Sequence, residues 1–448
     1  MTTSTCRKKD SNKAKKYSSV AEIKKRGKLR IITLYSSTTY FLYKGQPMGY
    51  EYELAEQFAQ SIGVETQVIV AKNAAQLTQF LKEGKGDVVA FNLPVNKEMR
   101  DSFQYCGRQS LTHQVLVQQQ NANRKPLTDV TQLVGKKITV LRNSRYHQRL
   151  INLNEELGGG IKLNPISKDS ISTEDLIEKV SDGELDYTVA DNDLAILNKT
   201  YFGNININLE ISFPQRLSWV VHKGNSDLAN ALNRWFATNI NSVEYQTLAK
   251  RYFEKSKRPF DLILPKISNG KISPYDAIFK KYAKDIDWDW RLLAALAYVE
   301  SKFDPTEISW AGAKGLMQLM PRTSAAVGIY GKDIYDPDIN VSGAVKSIRL
   351  INRVYANVKD KSEKQKFIIG AYNCGIGHIM DAQNLATKHG ASRVIWDKNV
   401  AHYLALKSNS EYYTDNVCNY GYLRGSETCL YVKKVLTIFN YYTTKTKK

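Results

Sequence analysis

The chain has 448 residues, 42% of them apolar, with 26 glycines, 11 prolines and five cysteines. That composition excludes a disordered chain, a collagen-like repeat and a small disulfide scaffold. At roughly 150 residues per domain, the length predicts two or three domains, each with its own core. The 64 basic and 44 acidic residues give a net charge of +20, which favours an anionic surface or polymer as a partner.

The first 21 residues are polar and basic and show no periodicity, which predicts a flexible tail. Cys6 lies in this tail and is followed by a lysine-rich stretch that ends at Lys16. The pattern looks like the mature start of a bacterial lipoprotein, and a free cysteine in a tail is the alternative. No apolar run in the sequence reaches the ~20 residues that span a bilayer.

Short β runs alternate with helical segments from residue 22 to residue 254, a pattern typical of a sheet covered by helices. Two such sets follow one another. We interpret them as two lobes, the first at about 22–117 and 221–254 and the second at about 118–220. A segment rich in proline, glycine and lysine at 255–272 predicts a linker, after which helical periodicity dominates from 273 to 448.

One carboxylate ends the apolar face of a predicted helix at 290–303. Leu293, Leu296 and Ala297 form a stripe at i, i+3 and i+4, and Glu300 follows at i+7. A carboxyl group at the edge of an apolar face suits a general acid. From periodicity alone, a rim glutamate paired with a lysine or arginine is the alternative.

The cysteines and histidines give no sign of a metal site. The five cysteines contain no C-x-x-C spacing and the six histidines contain no H-x-x-x-H spacing, so we predict neither a metal nor a cofactor. Cys418 and Cys429 could form a disulfide in an oxidising compartment, and two free thiols are the alternative. The chain also contains no nucleic-acid-binding motif, so we predict no nucleic-acid partner.

Four short motifs follow one another in the second half of the chain. They are Glu300-Ser301, Gly312-Ala-Lys-Gly315-Leu-Met-Gln318, Ala371-Tyr-Asn-Cys-Gly375 and Tyr431-Val432. Together this set resembles the lytic transglycosylase domain related to goose-type lysozyme. The segment Tyr420-Gly-Tyr-Leu-Arg-Gly425 and the domain order resemble, more narrowly, the membrane-bound lytic murein transglycosylases of the F type.

The resemblance implies cleavage of peptidoglycan glycan strands between N-acetylmuramic acid and N-acetylglucosamine without water, giving 1,6-anhydromuramyl ends. Glu300 would be the general acid and then the base, because the nucleophile belongs to the substrate. Ser301 would orient the carboxylate or the substrate, and Tyr431 would hydrogen-bond near Glu300. The other implied substrate-binding residues are Met317, Gln318, Tyr372 and Asn373. For Met317 and Tyr372, core packing is the alternative.

Residues 22–254 resemble the extracellular solute-binding proteins that capture amino acids, in segments such as Gly86-Asp-Val-Val-Ala and Gly183-Glu-Leu-Asp-Tyr-Thr-Val-Ala-Asp191. In that family an arginine binds the ligand carboxylate and an aspartate binds the ligand ammonium. The resemblance assigns these roles to Arg100 and Asp191, with Ser144 and Tyr40 as further candidates. A surface salt bridge is the alternative for Arg100 and Asp191.

We therefore expect a bilobal α/β domain of the periplasmic-binding-protein type, followed by a mainly α lysozyme-like domain. The expected protein is a periplasmic lytic transglycosylase, anchored to the outer membrane through a lipid at Cys6. An amino acid or muropeptide in the N-terminal domain would regulate its activity. A wall-anchored sensor without turnover and a hydrolytic lysozyme are the alternatives.

Overall fold

The structure, a computed structural model, describes residues 17–120, 125–167, 171–255, 264, 267 and 270–446. Cys6 and most of the predicted linker lie outside the described residues. The chain divides into two compact units. The first contains residues up to Leu34, Glu51–Leu111 and Gln215–Tyr245, and the second contains Tyr35–Tyr50, Thr112–Pro214 and Gln246–Lys448.

Strands are concentrated in the first half of the chain. In order they are β1 (Lys28–Leu34), β2 (Phe41–Tyr43), β3 (Gln46–Met48), β4 (Glu65–Ala71), β5 (Val88–Pro94), β6 (Phe103–Thr112), β7 (Gln114–Gln119), β8 (Lys137–Leu141), β9 (Lys162–Ile166), β10 (Tyr187–Asp191), β11 (Ile205–Glu210) and β12 (Gln215–His222).

Helices occur along the whole chain and predominate after residue 226. In order they are α1 (Val20–Arg26), α2 (Tyr50–Ser61), α3 (Ala74–Lys82), α4 (Lys97–Ser102), α5 (Arg145–Glu156), α6 (Thr173–Ser181), α7 (Asn192–Tyr201), α8 (Ser226–Asn239), α9 (Val243–Phe253), α10 (Asp276–Ala283), α11 (Trp290–Ser301), α12 (Pro321–Ala326), α13 (Pro337–Val354), α14 (Lys361–Cys374), α15 (Ile376–Lys388), α16 (Ala401–Ala405), α17 (Ser410–Tyr413) and α18 (Gly425–Lys445). Among the described residues, no helix is long and apolar enough to cross a membrane.

The first unit is built on a five-stranded sheet in the order β4-β1-β5-β12-β6. β1 runs parallel to β4 and β5, whereas β12 runs antiparallel to β5. Ile31, Ile32, Val88 and Val89 on the inner strands are completely buried, as expected of a sheet covered by helices. α1 begins at Val20, inside the predicted tail, because Ser19 and Glu22 form a capping box.

The second lobe contains a three-stranded antiparallel sheet, β10-β7-β11, and a parallel pair, β8 and β9. The chain passes into the second unit at 112 and leaves it at 215, whereas the sequence predicted changes of lobe at about 118 and 221. Residues 35–50 and 246–254, predicted in the first lobe, also belong to the second unit. β7 and β12 explain the difference. Both are continuous buried runs with no turn residue to indicate where one lobe ends, so periodicity could not locate the crossings.

The C-terminal part of the second unit is helical around one apolar core. α11 is its centre, because every residue from Trp290 to Val299 is buried. Asp289 caps the helix by accepting a hydrogen bond from the Arg291 amide, and the helix ends before Lys302, whose φ is +53°. Glu300 is therefore held at the end of a rigid, fully packed element.

The second unit also contains a β-hairpin of residues 41–48. β2 and β3 pair with Tyr43 opposite Gln46, so Lys44 and Gly45 form a two-residue turn. Both turn residues have positive φ, 49° at Lys44 and 73° at Gly45, as a type I′ turn requires. A lysine in this left-handed region is unfavourable by about 1 kcal/mol or more, so contacts elsewhere must hold the turn in place.

Candidate functional site

Glu300 lies on the wall of a cavity of about 240 Å³ within the second unit. Its side chain is 8% exposed. The hydroxyl of Tyr431, on α18, donates a short hydrogen bond to Oε1 of Glu300. The ammonium of Lys44, at the tip of the hairpin, lies 3.4 Å from each carboxylate oxygen. The carboxylate is thus held between a neutral donor and a cation.

Two tyrosines close to Glu300 remain protonated. Burial, followed by the negative charge of Glu300, raises the pKa of Tyr431 well above its ordinary range. The same two causes raise the pKa of Tyr372. Tyr431 therefore acts as a hydrogen-bond donor to the carboxylate at every pH at which the protein would work.

The Gly-Leu-Met-Gln motif forms a tight turn next to α11. Gln318 has a φ of +50°, which is unusual for a residue with a side chain. Its side-chain amide donates to the carbonyl oxygens of Glu307, at 3.0 Å, and Gly315, at 2.9 Å. These bonds hold the turn in its strained conformation, while Gln318 still forms part of the cavity wall.

Ser301 and Tyr372 hold the same turn through its backbone. The Ser301 hydroxyl donates to the Leu316 carbonyl at 2.7 Å, and the Tyr372 hydroxyl donates to the Met317 carbonyl at 2.7 Å. The Met317 side chain is completely buried in the core. We predicted that Ser301 orients the carboxylate or the substrate and that Met317 and Tyr372 bind substrate or pack in the core. None of the three lines the cavity, and the hydroxyls of Ser301 and Tyr372 hold the turn.

Asn373 and Cys374 contribute the end of α14 to the cavity wall. Burial raises the pKa of the Cys374 thiol to about 12, so the thiol is neutral and a weak nucleophile. Among the described residues the cysteines, including Cys418 and Cys429, are free thiols. The described part of the chain also contains no group of three or more histidine, cysteine or acidic side chains that could hold a metal ion.

The hairpin of residues 41–48 fills one side of the cavity. The rings of Tyr43 and Phe41 lie 5.4 and 6.5 Å from the ring of Trp310. The Leu42 carbonyl oxygen lies 3.0 Å from Nε2 of His378. The turn also packs on Gly375, where a Cβ would lie 2.9 Å from the Gly45 nitrogen.

We did not predict Lys44 or Trp310 as site residues. The glycine at position 45, between two short apolar runs, is a hairpin signal that could have been used. That signal predicts the turn but not the residues that the turn contacts, because Lys44 and Glu300 are 256 residues apart in the sequence.

Asp191 has a partner within its own lobe. The guanidinium of Arg145 forms a close ion pair with Oδ2 of Asp191, and the Tyr146 hydroxyl donates to the same oxygen at 3.1 Å. Asp191 is buried, and its Oδ1 is buried without a hydrogen bond among the described residues. The predicted ammonium-binding carboxylate is therefore already neutralised by Arg145.

Of the other predicted ligand residues, Ser144 and Tyr40 belong to the same unit as Asp191. Ser144 caps α5: its hydroxyl accepts from the His147 amide at 3.1 Å and donates to the Leu141 carbonyl at 2.7 Å. Tyr40 is half-buried, with its ring 5.7 Å from that of Tyr35. Arg100 belongs to the first unit, at the exposed end of α4.

Two family profiles match the chain. "Transglycosylase SLT domain" matches residues 277–395, and "Bacterial extracellular solute-binding proteins, family 3" matches residues 29–255. A protein of Desulfosudis oleivorans named "Membrane-bound lytic murein transglycosylase F" is 30% identical over 94% of this chain and 91% of its own length. A protein of Pseudomonas putida with the same name is 30% identical over 94% of this chain and 86% of its own length.

Solved structures of solute-binding proteins are also similar to part of the chain. A mutant of ArgBP from T. maritima is 22% identical, with a TM-score of 0.43, and the match covers 53% of this chain and 99% of that chain. An ancestral cationic amino acid solute-binding protein is 21% identical, with a TM-score of 0.44, and the match covers 52% and 99%.

Proposed function

Because this chain belongs to the membrane-bound lytic murein transglycosylase F family, we propose that it cleaves the glycan strands of peptidoglycan without water. The observation that supports this best is the environment of Glu300. A single carboxyl group ends a rigid apolar helix, lies on a cavity wall and receives a hydrogen bond from Tyr431. That arrangement fits an acid that later serves as a base.

The proposed reaction has two proton transfers and one bond exchange. Glu300 gives its proton to the glycosidic oxygen while the bond from that oxygen to the muramyl anomeric carbon breaks. The muramyl 6-hydroxyl oxygen then bonds to the anomeric carbon and returns its proton to Glu300. The products are a free 4-hydroxyl group and a 1,6-anhydromuramyl end, and no water is consumed.

One feature of the cavity favours a second candidate, a hydrolytic lysozyme. Glu427, one helical turn before Tyr431 on α18, also lines the cavity. Glycosidases that use water need two carboxylates placed across the sugar. Glu427 is the residue that could supply the second carboxylate.

Digestion of purified peptidoglycan, with mass spectrometry of the glycan ends, separates these functions. Wild-type protein should give anhydro ends, and Glu300→Gln should give none. Glu427→Gln should change the yield without changing the type of end. Reducing ends that disappear in Glu427→Gln would support the lysozyme, and an undigested wild-type sample would support a sensor without turnover.

We also propose that the structure represents a closed state of the enzyme. The hairpin of residues 41–48 lies on the cavity wall that a glycan would use, and Lys44 lies at the carboxylate that must protonate it. A glycan strand could reach Glu300 only after the hairpin moved. The N-terminal region would therefore regulate the catalytic domain by withdrawing this hairpin.

A single carboxylate could transmit that movement. Glu174, on α6 of the second lobe, accepts hydrogen bonds from the Ser37 amide, the Tyr422 hydroxyl and the Arg424 guanidinium at 3.0–3.1 Å. Ser37 leads into the hairpin, and the other two donors precede α18. A shift of α6 would therefore act on both the hairpin and the catalytic domain, as coupling between two states requires.

The proposed ligand that causes this shift is an amino acid or a muropeptide. Arg145 occupies the position expected for a ligand ammonium at Asp191, so a ligand carboxylate that attracts Arg145 would release Asp191. Calorimetry with free amino acids and with muropeptides tests this. Absence of binding heat, or activity that ignores a bound ligand, would contradict the regulatory proposal.

The proposed location is the periplasm, at the outer membrane. The relatives are named as membrane-bound proteins, and a lipid at Cys6 followed by a lysine-rich tail would give two membrane contacts. Replacing Cys6 by alanine should move the protein from the membrane fraction to the soluble fraction. Mass spectrometry that finds an unmodified Cys6 in membrane-bound protein would contradict the proposed anchor.

A further inference from the structure

The side-chain amide of Asn373 is held in one orientation at the cavity wall. Asn373 lies near the end of α14 and lines the cavity. The hydroxyl of Thr428, in the first turn of α18, donates to Oδ1 of Asn373 at 2.8 Å. Nδ2 of Asn373 has no hydrogen-bond partner among the described residues. This nitrogen is not fully buried.

Thr428 can hold the amide in place because burial restricts its own side chain. Its side chain is almost completely buried, with 2% of the residue exposed. A buried hydroxyl that cannot reach water keeps the protein partner it has, because losing that partner leaves both groups unsatisfied. In the structure this hydroxyl donates to the Asn373 oxygen and also contacts the Cys374 thiol, so the Asn373 oxygen faces α18 and the NH₂ group is left for the cavity.

The orientation determines which substrate group can bind. An asparagine amide has one acceptor oxygen and two N–H donors, so an amide whose oxygen is engaged offers a ligand its donors. A sugar hydroxyl can pair with either end of an amide, but the carbonyl oxygen of an N-acetyl group can only accept. Peptidoglycan has an N-acetyl group on each of its sugars, and these are the groups that a fixed N–H donor would distinguish.

We infer that Thr428 is a positioning residue: it orients Asn373 so that the amide NH₂ group donates to the carbonyl oxygen of a substrate N-acetyl group. This inference rests on the proposed glycan substrate. It assigns to Thr428 a contribution to the selection of N-acetylated sugars.

The test compares Thr428→Val, which removes the hydroxyl at nearly constant volume, with Thr428→Ser, which keeps it. Both variants are made in the full-length chain. Turnover is measured on peptidoglycan and on the same material after chemical N-deacetylation. Binding of N-acetylglucosamine and glucosamine oligomers is measured on the Glu300→Gln background, so that the result does not depend on turnover.

Thr428→Val should raise KM and the dissociation constant of the N-acetylated ligands about fivefold, the effect of losing one neutral hydrogen bond, with kcat nearly unchanged. Thr428→Ser should behave as wild type, and neither variant should change the values for deacetylated ligands. Equal losses on both ligand types, or equal effects of valine and serine, would overturn the inference. Wild-type protein that binds the acetylated oligomer but gives no anhydro ends would refute the proposed reaction and leave the binding comparison as the test of Thr428.

Discussion

Replacing Lys44 by methionine removes the cation from the catalytic carboxylate while keeping most of the side-chain volume. In the closed state the Lys44 ammonium lies 3.4 Å from both oxygens of Glu300, and both side chains are 8% exposed. The ammonium also lies 5.3 Å from the centre of the Tyr372 ring. The hairpin turn therefore loses its main electrostatic contact with the cavity, while the aromatic contacts with Trp310 remain.

The size of the effect follows from the distance and the burial. At 3.4 Å and an effective dielectric constant of about 20, the gross attraction is about 5 kcal/mol. Desolvation of the two charges cancels part of it, and we take about 2 kcal/mol as the net stabilisation of the closed state. If the open state is a minority, losing this stabilisation raises its population roughly 30-fold.

The assay is the rate of release of soluble muropeptides from peptidoglycan without any added ligand. Lys44→Met should raise this basal rate about 10-fold to 30-fold. Lys361→Met is the matched control, since Lys361 and Asp287 form a surface pair in which both side chains are 85% exposed, and its rate should equal that of wild type. A lower rate in Lys44→Met would contradict this prediction, because Lys44 would then assist the reaction rather than block it.

Three further predictions follow from the same contacts. Tyr431→Phe should lower kcat about 10-fold to 100-fold with little change in KM, in steady-state turnover, because Glu300 loses a charge-assisted hydrogen bond. Ser301→Ala should lower the free energy of unfolding by about 1 to 3 kcal/mol in denaturant titrations, because the Leu316 carbonyl is left unsatisfied; a wild-type midpoint would contradict this. Burial raises the pKa of Asp175 to about 7, so the folded protein holds a proton that the unfolded chain releases. Its contribution to stability, roughly 4 kcal/mol, should therefore be lost as the pH rises from about 4 to about 7, and Asp175→Asn should lack this slope in unfolding measurements.

The sequence was sufficient to predict those parts of the site that depend on local hydrophobic periodicity and on short motifs. The apolar stripe on α11 indicated the position of Glu300, and the motif order indicated the family that the relatives then supported. Motif membership did not show the direction of each side chain. Met317 and Gln318 are adjacent in one motif, yet Met317 is completely buried in the core and Gln318 reaches the cavity wall.

The parts that were missed depend on contacts between distant segments. Lys44 reaches Glu300 only because the hairpin of residues 41–48 packs on Trp310 and Gly375, and no local signal at position 44 encodes that packing. Asp191 is a second example. The motif located the carboxylate, but its ion pair with Arg145 joins residues that are far apart in the sequence. Periodicity reports which face of an element is buried and not which element covers it.

Digestion of peptidoglycan by the Lys44→Met variant in water enriched in heavy oxygen identifies the nucleophile of the proposed reaction. Every new muramyl end should be a 1,6-anhydro sugar without the heavy isotope, and adding Glu300→Gln to the variant should abolish release. Heavy oxygen at the anomeric carbon of the new ends would contradict the proposed reaction, because the nucleophile would then be water rather than the muramyl 6-hydroxyl group.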